Sequence, residues 1–446
     1  MNEQVPLQAA AGPWWQAVGR RDWRTWFLAM LGWTFDGYEA TALTVVLIPA
    51  VSSLLPRTAV HLAPVYASLV VAAALLGWGV GGILGGVVAD YVGRKRAMIY
   101  AILTYAIFTA LTGFATSWQW MAVFRFLTGF GIGSEWGTGT AMIFETWPKR
   151  ARTMGLVLLQ SGFGVGAVLA AAVALAALHT PQGWRWVFYI GVLPALVTLW
   201  LRRDMPESAR WEEADRHRRE VARLRREGRL REQTHEDTFT LAYLFVDPEI
   251  RRRTLLALAV GTATTVGYWG ASTWMPAAMI AHATQLHLKT APLWGAYTGI
   301  IFNLAAIVGY ITFAPLADGL GRKKAIALVQ FLALLSIPAF FYLGSTGGLG
   351  RLIVFAAIAG YFTLGQFSWM TIYLPELYPT RARTTGSGFI FNFTRFFTVV
   401  SVLVAGQLIA AFHGYAKAAT IIGLIYVIGL AAIGFLPETK GKELEL

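Results

Sequence analysis

Apolar residues run along this chain in blocks of 20 or more, divided by short turns rich in Gly, Pro and basic side chains. A run of about 20 apolar residues crosses a ~30 Å hydrocarbon core as a helix. The pattern predicts twelve spans, near 24–52, 65–91, 95–115, 118–146, 149–178, 184–202, 251–283, 292–317, 322–344, 350–378, 382–412 and 414–436. One interval differs in kind. Residues 203–250 are rich in Arg, Glu and Asp, with little apolar content between Glu212 and Thr238. Opposite charges at i,i+4 there (Glu212/Arg216, Asp215/Arg219) predict an exposed helical connector; binding of anionic lipid is the alternative. The chain thus divides into an N-terminal segment 1–22, a six-helix bundle 23–202, the linker 203–250, a second six-helix bundle 251–436 and a tail 437–446. Because residues 1–22 are polar and the first apolar run continues as a span, no cleavable signal is expected.

The pattern repeats. GGVVADYVGRKRA at 85–97 returns as FAPLADGLGRKKA at 313–325, so Asp90, Gly93, Arg94 and Lys95 correspond to Asp318, Gly321, Arg322 and Lys323. ETWPKRARTMG at 145–155 returns as ELYPTRARTTG at 376–386, pairing Glu145 with Glu376 and Arg152 with Arg383. Pro206-Glu207 returns as Pro437-Glu438. Three matches at nearly one offset predict two related all-α membrane halves. Such halves place a substrate between them, near the bilayer midplane.

Composition changes the picture in two ways. Only 14% of residues are charged and mean hydropathy is +0.54, against about 25% charged in a soluble chain. The net charge of +13 would suggest nucleic acid in a soluble protein. Here the basic residues lie at the N-terminus, in the linker and in alternate turns, which puts both termini and the linker in the cytoplasm, with no nucleic-acid partner. Without Cys, thiol chemistry and zinc–thiolate sites drop out. The seven His all fall in loops or near span ends, so neither an enzyme nor a metal site is expected.

The turn Gly86-x-x-x-Asp90-x-x-Gly93-Arg94-Lys95 resembles the signature loop of the major facilitator superfamily; its second copy departs only at Ala314. PESARW (206–211), PETKG (437–441) and the Glu-x-x-Pro-x-Arg-x-Arg pairs are similar to sugar porters and organic-ion relatives. Asp36-Gly37-Tyr38-Glu39 resembles the first-span motif of aromatic-acid and sialate proton symporters, with Glu where Asp is usual. The resemblance implies a monomeric, multi-pass transporter of a bacterial inner membrane. It would be driven by the proton gradient with no cofactor, and its partners would be protons, a small molecule and membrane lipids.

Deep charges narrow the site. Of 24 acids, twelve lie in 203–253; of the rest only Asp36, Glu39 and Glu135 fall well inside spans, and the deep bases are Arg125 and Arg395. A charge at mid-bilayer costs on the order of 3 kcal/mol and normally faces a cavity. Asp36 and Glu39 are i,i+3 and share a helix face. Glu39 and Arg125 are predicted to meet, either as a proton carrier or as a permanent bridge. The resemblance implies the former, since the family couples protons through a first-span acid and a fourth-span Arg. Glu135 is a proton relay or a helix–helix hydrogen bond. Arg395 has no deep acid in its own half. Its planar fork suits a substrate carboxylate; pairing with Asp36, Glu39 or backbone carbonyls is the other reading. Tyr268, Trp269, Trp274, Gln366 and Trp369 either stack and hydrogen-bond a ring or pack helices, and Asn303 and Asn392 line the cavity or join helices. Trp14, Trp15, Trp118 and Trp120 fit an interfacial belt. Asp90 with Arg152 and Asp318 with Arg383, beside Glu145 and Glu376, are expected to bridge a cytoplasmic gate, as the resemblance also implies.

Proton symport of a small organic anion (an aromatic carboxylate, nicotinate or sialate) is the leading expectation. Proton–sugar symport is the alternative, and an efflux antiporter a third.

Overall fold

The computed structural model describes residues 13–92, 94–133, 140, 143, 147–180, 182–202, 216, 223, 240–379 and 382–441. Glu135, Glu145, Gly93 and the side chains of Asp90 and Arg94 lie outside the described residues. Among those described there is helix and no strand. This is what lipid demands, because a helix satisfies its backbone polar groups internally.

Among the described residues the spanning helices fall into twelve groups. In the first half they are Arg20–Leu54, Ala63–Val92, Arg94–Gly113, Trp118–Gly133, Lys149–Ala177 and Gly183–Arg202. In the second half Ala291–Leu320 and Arg383–Ala411 are continuous, while the others are broken. Span 7 joins Pro248–Val266 to Met275–Gln285 through a π-turn, Gly267–Ala271, and a 3-10 turn, Ser272–Trp274. Spans 9 and 10 (from Arg322 and Gly348) carry π-turns at Ala339–Gly344 and Gly360–Leu364. Span 12 breaks between Tyr415–Gly423 and Tyr426–Gly434. The apolar stretch Arg322–Glu376 has 55 residues, about twice what one crossing takes, so it holds two spans.

Within the first half, spans 1 and 5 touch backbone to backbone. A Cβ on Gly37 would lie 2.0 Å from the Phe163 carbonyl oxygen, and one on Gly166 would lie 1.6 Å from that of Thr34. The halves meet where span 2 packs on span 11 and span 5 on span 8.

Three sequence expectations change. The second half opens at Pro248 rather than near 251, capped by Asp247. The short helix Thr240–Val246, inside the expected connector, buries Leu244 and packs on span 11. Trp14 is not a bare belt residue: it stacks on Trp147 at 6.3 Å, within a cluster that includes Trp23 and Trp26. Trp15 and Trp120 are exposed.

Candidate functional site

Span 1 presents Asp36 and Glu39 toward the interior one helical turn apart, and both are buried. Glu39 meets Arg125 of span 4, Oε2 to Nη1, at 3.2 Å, with each side chain 2% exposed. Three threonines complete the cradle. Thr109 donates to Glu39 Oε2 at 2.6 Å, and Arg125 donates to Thr112 at 3.0 Å and to Thr109 and Thr128 at 3.1 Å. Two of them, Thr109 and Thr112, are i,i+3 on one face of span 3. Arg125 also lies 4.8 Å from the Phe188 ring centre. Glu39 Oε1 is buried and makes no hydrogen bond among the described residues. A buried pair holds only when its remaining polar atoms are met; here Arg125 is well satisfied and the carboxylate keeps one oxygen open.

The pair borders a small cavity between spans 1, 2, 4 and 7, whose wall includes Trp78 and Trp269. Arg395 reaches the other side of this region from span 11. Its guanidinium lies 4.2 Å from the centres of both the Trp78 and Phe391 rings, and Nη1 donates to the Phe391 carbonyl. Asp36 is within its electrostatic reach. Arg395 thus sits against a backbone carbonyl and two aromatic rings, with Asp36 near it.

A second small cavity lies between span 1 and spans 7 and 8; Tyr268 and Asn303 line it. Asn303 donates to the Gly299 carbonyl at 2.8 Å. Asn392 donates to Gly388 at 3.0 Å and faces span 2, where a Cβ on Gly82 would meet its Oδ1 at 2.1 Å. The remaining candidates sit in packing. Trp369 donates to Thr264 at 3.0 Å, Gln366 to Tyr426 at 2.9 Å, and the buried Trp274 ring lies 6.4 Å from that of Tyr415.

The turn between spans 8 and 9 corrects one expected bridge. Asp318 pairs with Arg322 at 2.6 Å, not with Arg383. Gly321 takes φ 93° there, a conformation open to glycine, and the chain reverses so that Arg322 folds back over Asp318. The Arg322 fork then holds Glu376 through Nε and Nη2, both at 3.2 Å. Arg383 donates instead to the Pro375 carbonyl at 3.0 Å. The expected Asp90–Arg152 bridge lies outside the described residues. Sequence reasoning passed over Glu438, which accepts from the backbone N–H groups of Arg322, Lys323, Thr439 and Lys440 at 2.9–3.1 Å. Partial burial opposes its charge, but these four donors outweigh it and hold the carboxyl below the usual carboxylate range. Thr439 donates to Glu376 at 2.6 Å, so the tail ties down the ends of spans 8, 9 and 10.

Among the described residues no group of three or more His, Asp or Glu is placed to hold a metal.

The chain is similar over its whole length to known transporters. A probable 4-methylmuconolactone transporter of Cupriavidus pinatubonensis is 28% identical, covering 97% of this chain and 94% of that one. The niacin transporter NiaP of Acinetobacter baylyi is 25% identical, covering 96% and 97%. A crystal structure of a D-xylose–proton symporter superposes with TM-score 0.68 at 19% identity, over 95% of this chain and 99% of that one; at that identity it speaks for the fold alone. The model of the Major Facilitator Superfamily matches residues 25–395. With twelve helical spans in two halves and a buried ion pair inside the first, this chain is a multi-pass membrane transporter of the Major Facilitator Superfamily, not an enzyme.

Proposed function

We propose that this chain imports a small organic anion together with protons by alternating access. The observation that carries the reading is the Glu39–Arg125 pair, buried to 2% on both sides and bordering a cavity while Glu39 keeps one oxygen open. A buried carboxyl holds its proton unless an opposite charge is close. Movement of Arg125 away from Glu39 therefore loads a proton, and its return expels one. Asp36 and Glu135 extend the relay. Arg395, parked against Trp78, Phe391 and a backbone carbonyl, is the anion receptor. A carboxylate offers its fork two charge-assisted hydrogen bonds, better partners than ring faces. Tyr268, Trp269 and Asn303 take the body of the substrate. Trp274, Gln366, Trp369 and Asn392 act as packing groups behind it. The named substrates of two relatives, 4-methylmuconolactone and niacin, are small ring compounds bearing a carboxylate, which fits this division of labour.

The cytoplasmic gate is assigned to the Asp318–Arg322–Glu376 cluster with Arg383, and to its first-half copy at Asp90, Gly93, Arg94, Glu145 and Arg152. The two six-helix halves, the second opening at Pro248, rock as units. The protein works as a monomer in a bacterial inner membrane with both termini in the cytoplasm. Basic residues at the termini and in alternate turns support that orientation.

The test is uptake into proteoliposomes of labelled benzoate, nicotinate and sialate beside neutral xylose, with the pH gradient and voltage set separately. Acid uptake driven by an inward proton gradient and abolished by Arg395→Ala is expected. Uptake of xylose but of none of the acids, or acid movement only against an opposing proton flux, contradicts the reading.

A further inference from the structure

The seam between the halves is made by spans 2 and 11 and by spans 5 and 8. Each of these four helices has a histidine just beyond its end on the outer face, opposite the Gly-Arg-Lys turns. His61 precedes Ala63, the first residue of span 2, and His287 precedes Ala291, the first of span 8. His179 follows Ala177, the last residue of span 5, and His413 follows Ala411, the last of span 11. All four side chains are exposed. The helices below them touch across the seam. A Cβ on Gly406 of span 11 would lie 2.9 Å from the Pro64 carbonyl oxygen of span 2, and one on Gly299 of span 8 would lie 3.2 Å from the Ala171 Cβ of span 5.

Two of the four histidines stand where glycine is usual. His287 and His413 take φ 55° and 51°, each directly after a helix C-cap. The next N–H closes the turn: Leu288 donates to the Ala283 carbonyl at 3.2 Å, and Gly414 to that of Ile409 at 3.1 Å. Glycine takes this left-handed position without steric cost. The imidazole is kept there, at matching places in the two turns, against that preference.

The outer face carries no acid. Its turns and helix ends hold Arg57, Arg185, Lys289, Arg351 and Lys417, together with His282, and none of the 24 Asp and Glu residues of the chain. Its field is therefore positive, and no carboxylate there can pair with an imidazolium. Histidine is the side chain whose charge changes between pH 8 and 5. Four imidazoliums beside five fixed cations would nearly double the charge around the seam.

We infer that this outer collar is an anion-collecting surface that strengthens as the outside acidifies. A field of one sign over an entry raises the rate of encounter with the opposite charge, so the collar draws organic anions and does nothing for neutral molecules. The same protons that drive uptake thereby raise the capture of the substrate. The inference rests on the anion-transport reading above.

The experiment follows association of benzoate, ionised throughout, with the full chain in uncharged detergent by rapid mixing and tryptophan fluorescence. Rates are compared at pH 6 and pH 8, in about 10 mM and about 1 M salt, where the screening length is roughly 30 and 3 Å. At pH 6 wild type is expected to associate about tenfold faster in low salt than in high, with a smaller ratio at pH 8. In the variant His61→Gln/His179→Gln/His287→Asn/His413→Asn the ratio at pH 6 should fall to that at pH 8. His217 and His235, in the linker on the opposite face, stay in place as an internal control. The double variant His61→Gln/His179→Gln, which leaves both left-handed turns intact, should lose part of the pH effect. Equal rates for variants and wild type in 1 M salt report that they are folded. A salt ratio in wild type that is the same at both pH values overturns the collar and leaves the anion reading standing, and so does a pH dependence that survives in both variants. Failure of wild type to bind benzoate under every condition overturns the anion reading, and the collar with it.

Discussion

The guanidinium of Arg395 lies 4.2 Å from the centre of the Trp78 ring, and the same ring borders the cavity that holds Glu39 and Arg125. One indole on span 2 thus connects the second half's deep cation to the first half's buried ion pair. Each half contributes deep charge to one region.

Arg395→Lys tests the anion receptor without deleting the charge. An ammonium cannot repeat the fork or the stacking, and a charge-assisted hydrogen bond is worth about 1.5–3 kcal/mol. Anion affinity should fall roughly 10- to 100-fold while counterflow at saturating substrate persists. Unchanged affinity in a binding titration would move the receptor elsewhere.

Glu39→Gln keeps the shape and the bond from Thr109 but removes the titrating group. Accumulation driven by a pH gradient should vanish, whereas exchange of labelled for unlabelled substrate at equal pH continues. The variant also leaves Arg125 without its charge partner, and breaking a buried pair typically costs about 3–5 kcal/mol. A lowered melting temperature is therefore expected. Undiminished gradient-driven accumulation would mean the pair is structural.

Glu438 predicts a pH signature in stability. Its folded carboxyl is held below the ordinary range by four backbone N–H groups, despite partial burial. The stabilisation is therefore present above the unfolded carboxylate value, about 4.3 for Glu, and is lost as pH falls through the lower folded value. Comparing thermal unfolding of wild type and Glu438→Gln, the difference should be constant from neutral pH to about pH 5 and shrink below about pH 4. A difference independent of pH would show that shape, not charge, matters there.

Gly37→Ala and Gly166→Ala should each destabilise the first half. An added Cβ meets a backbone carbonyl at 2.0 or 1.6 Å, and backbone cannot swing aside. Overpacking costs about 1–3 kcal/mol or more. Thermal unfolding in detergent reports it; wild-type stability in both variants would contradict the observed crossing of spans 1 and 5.

The spans were legible because blocks of about 20 apolar residues have few other fates. Glu39 and Arg125 were legible because charge at that depth is too costly to be incidental. The π-turn at Gly267–Ala271 left no comparable trace, although it carries Tyr268 and Trp269, which line different cavities. Thr109, Thr112 and Thr128 were passed over because threonine in an apolar helix is unremarkable until its partner is known. Trp78 was hidden in a glycine-rich run whose small residues let spans 4 and 11 approach. The Asp318–Arg383 expectation came from matching the repeats by position. It missed that the positive φ of Gly321 returns Arg322 to Asp318.

The central claim is that an organic anion and protons cross together through the Glu39–Arg125 pair. Its most direct test is the pH of a weakly buffered medium around voltage-clamped proteoliposomes when a transported acid is added. Alkalinisation outside in step with acid uptake, absent in Glu39→Gln while exchange persists, is the predicted result. Acid uptake with no pH change in wild type, or the same pH change in Glu39→Gln, would contradict the account.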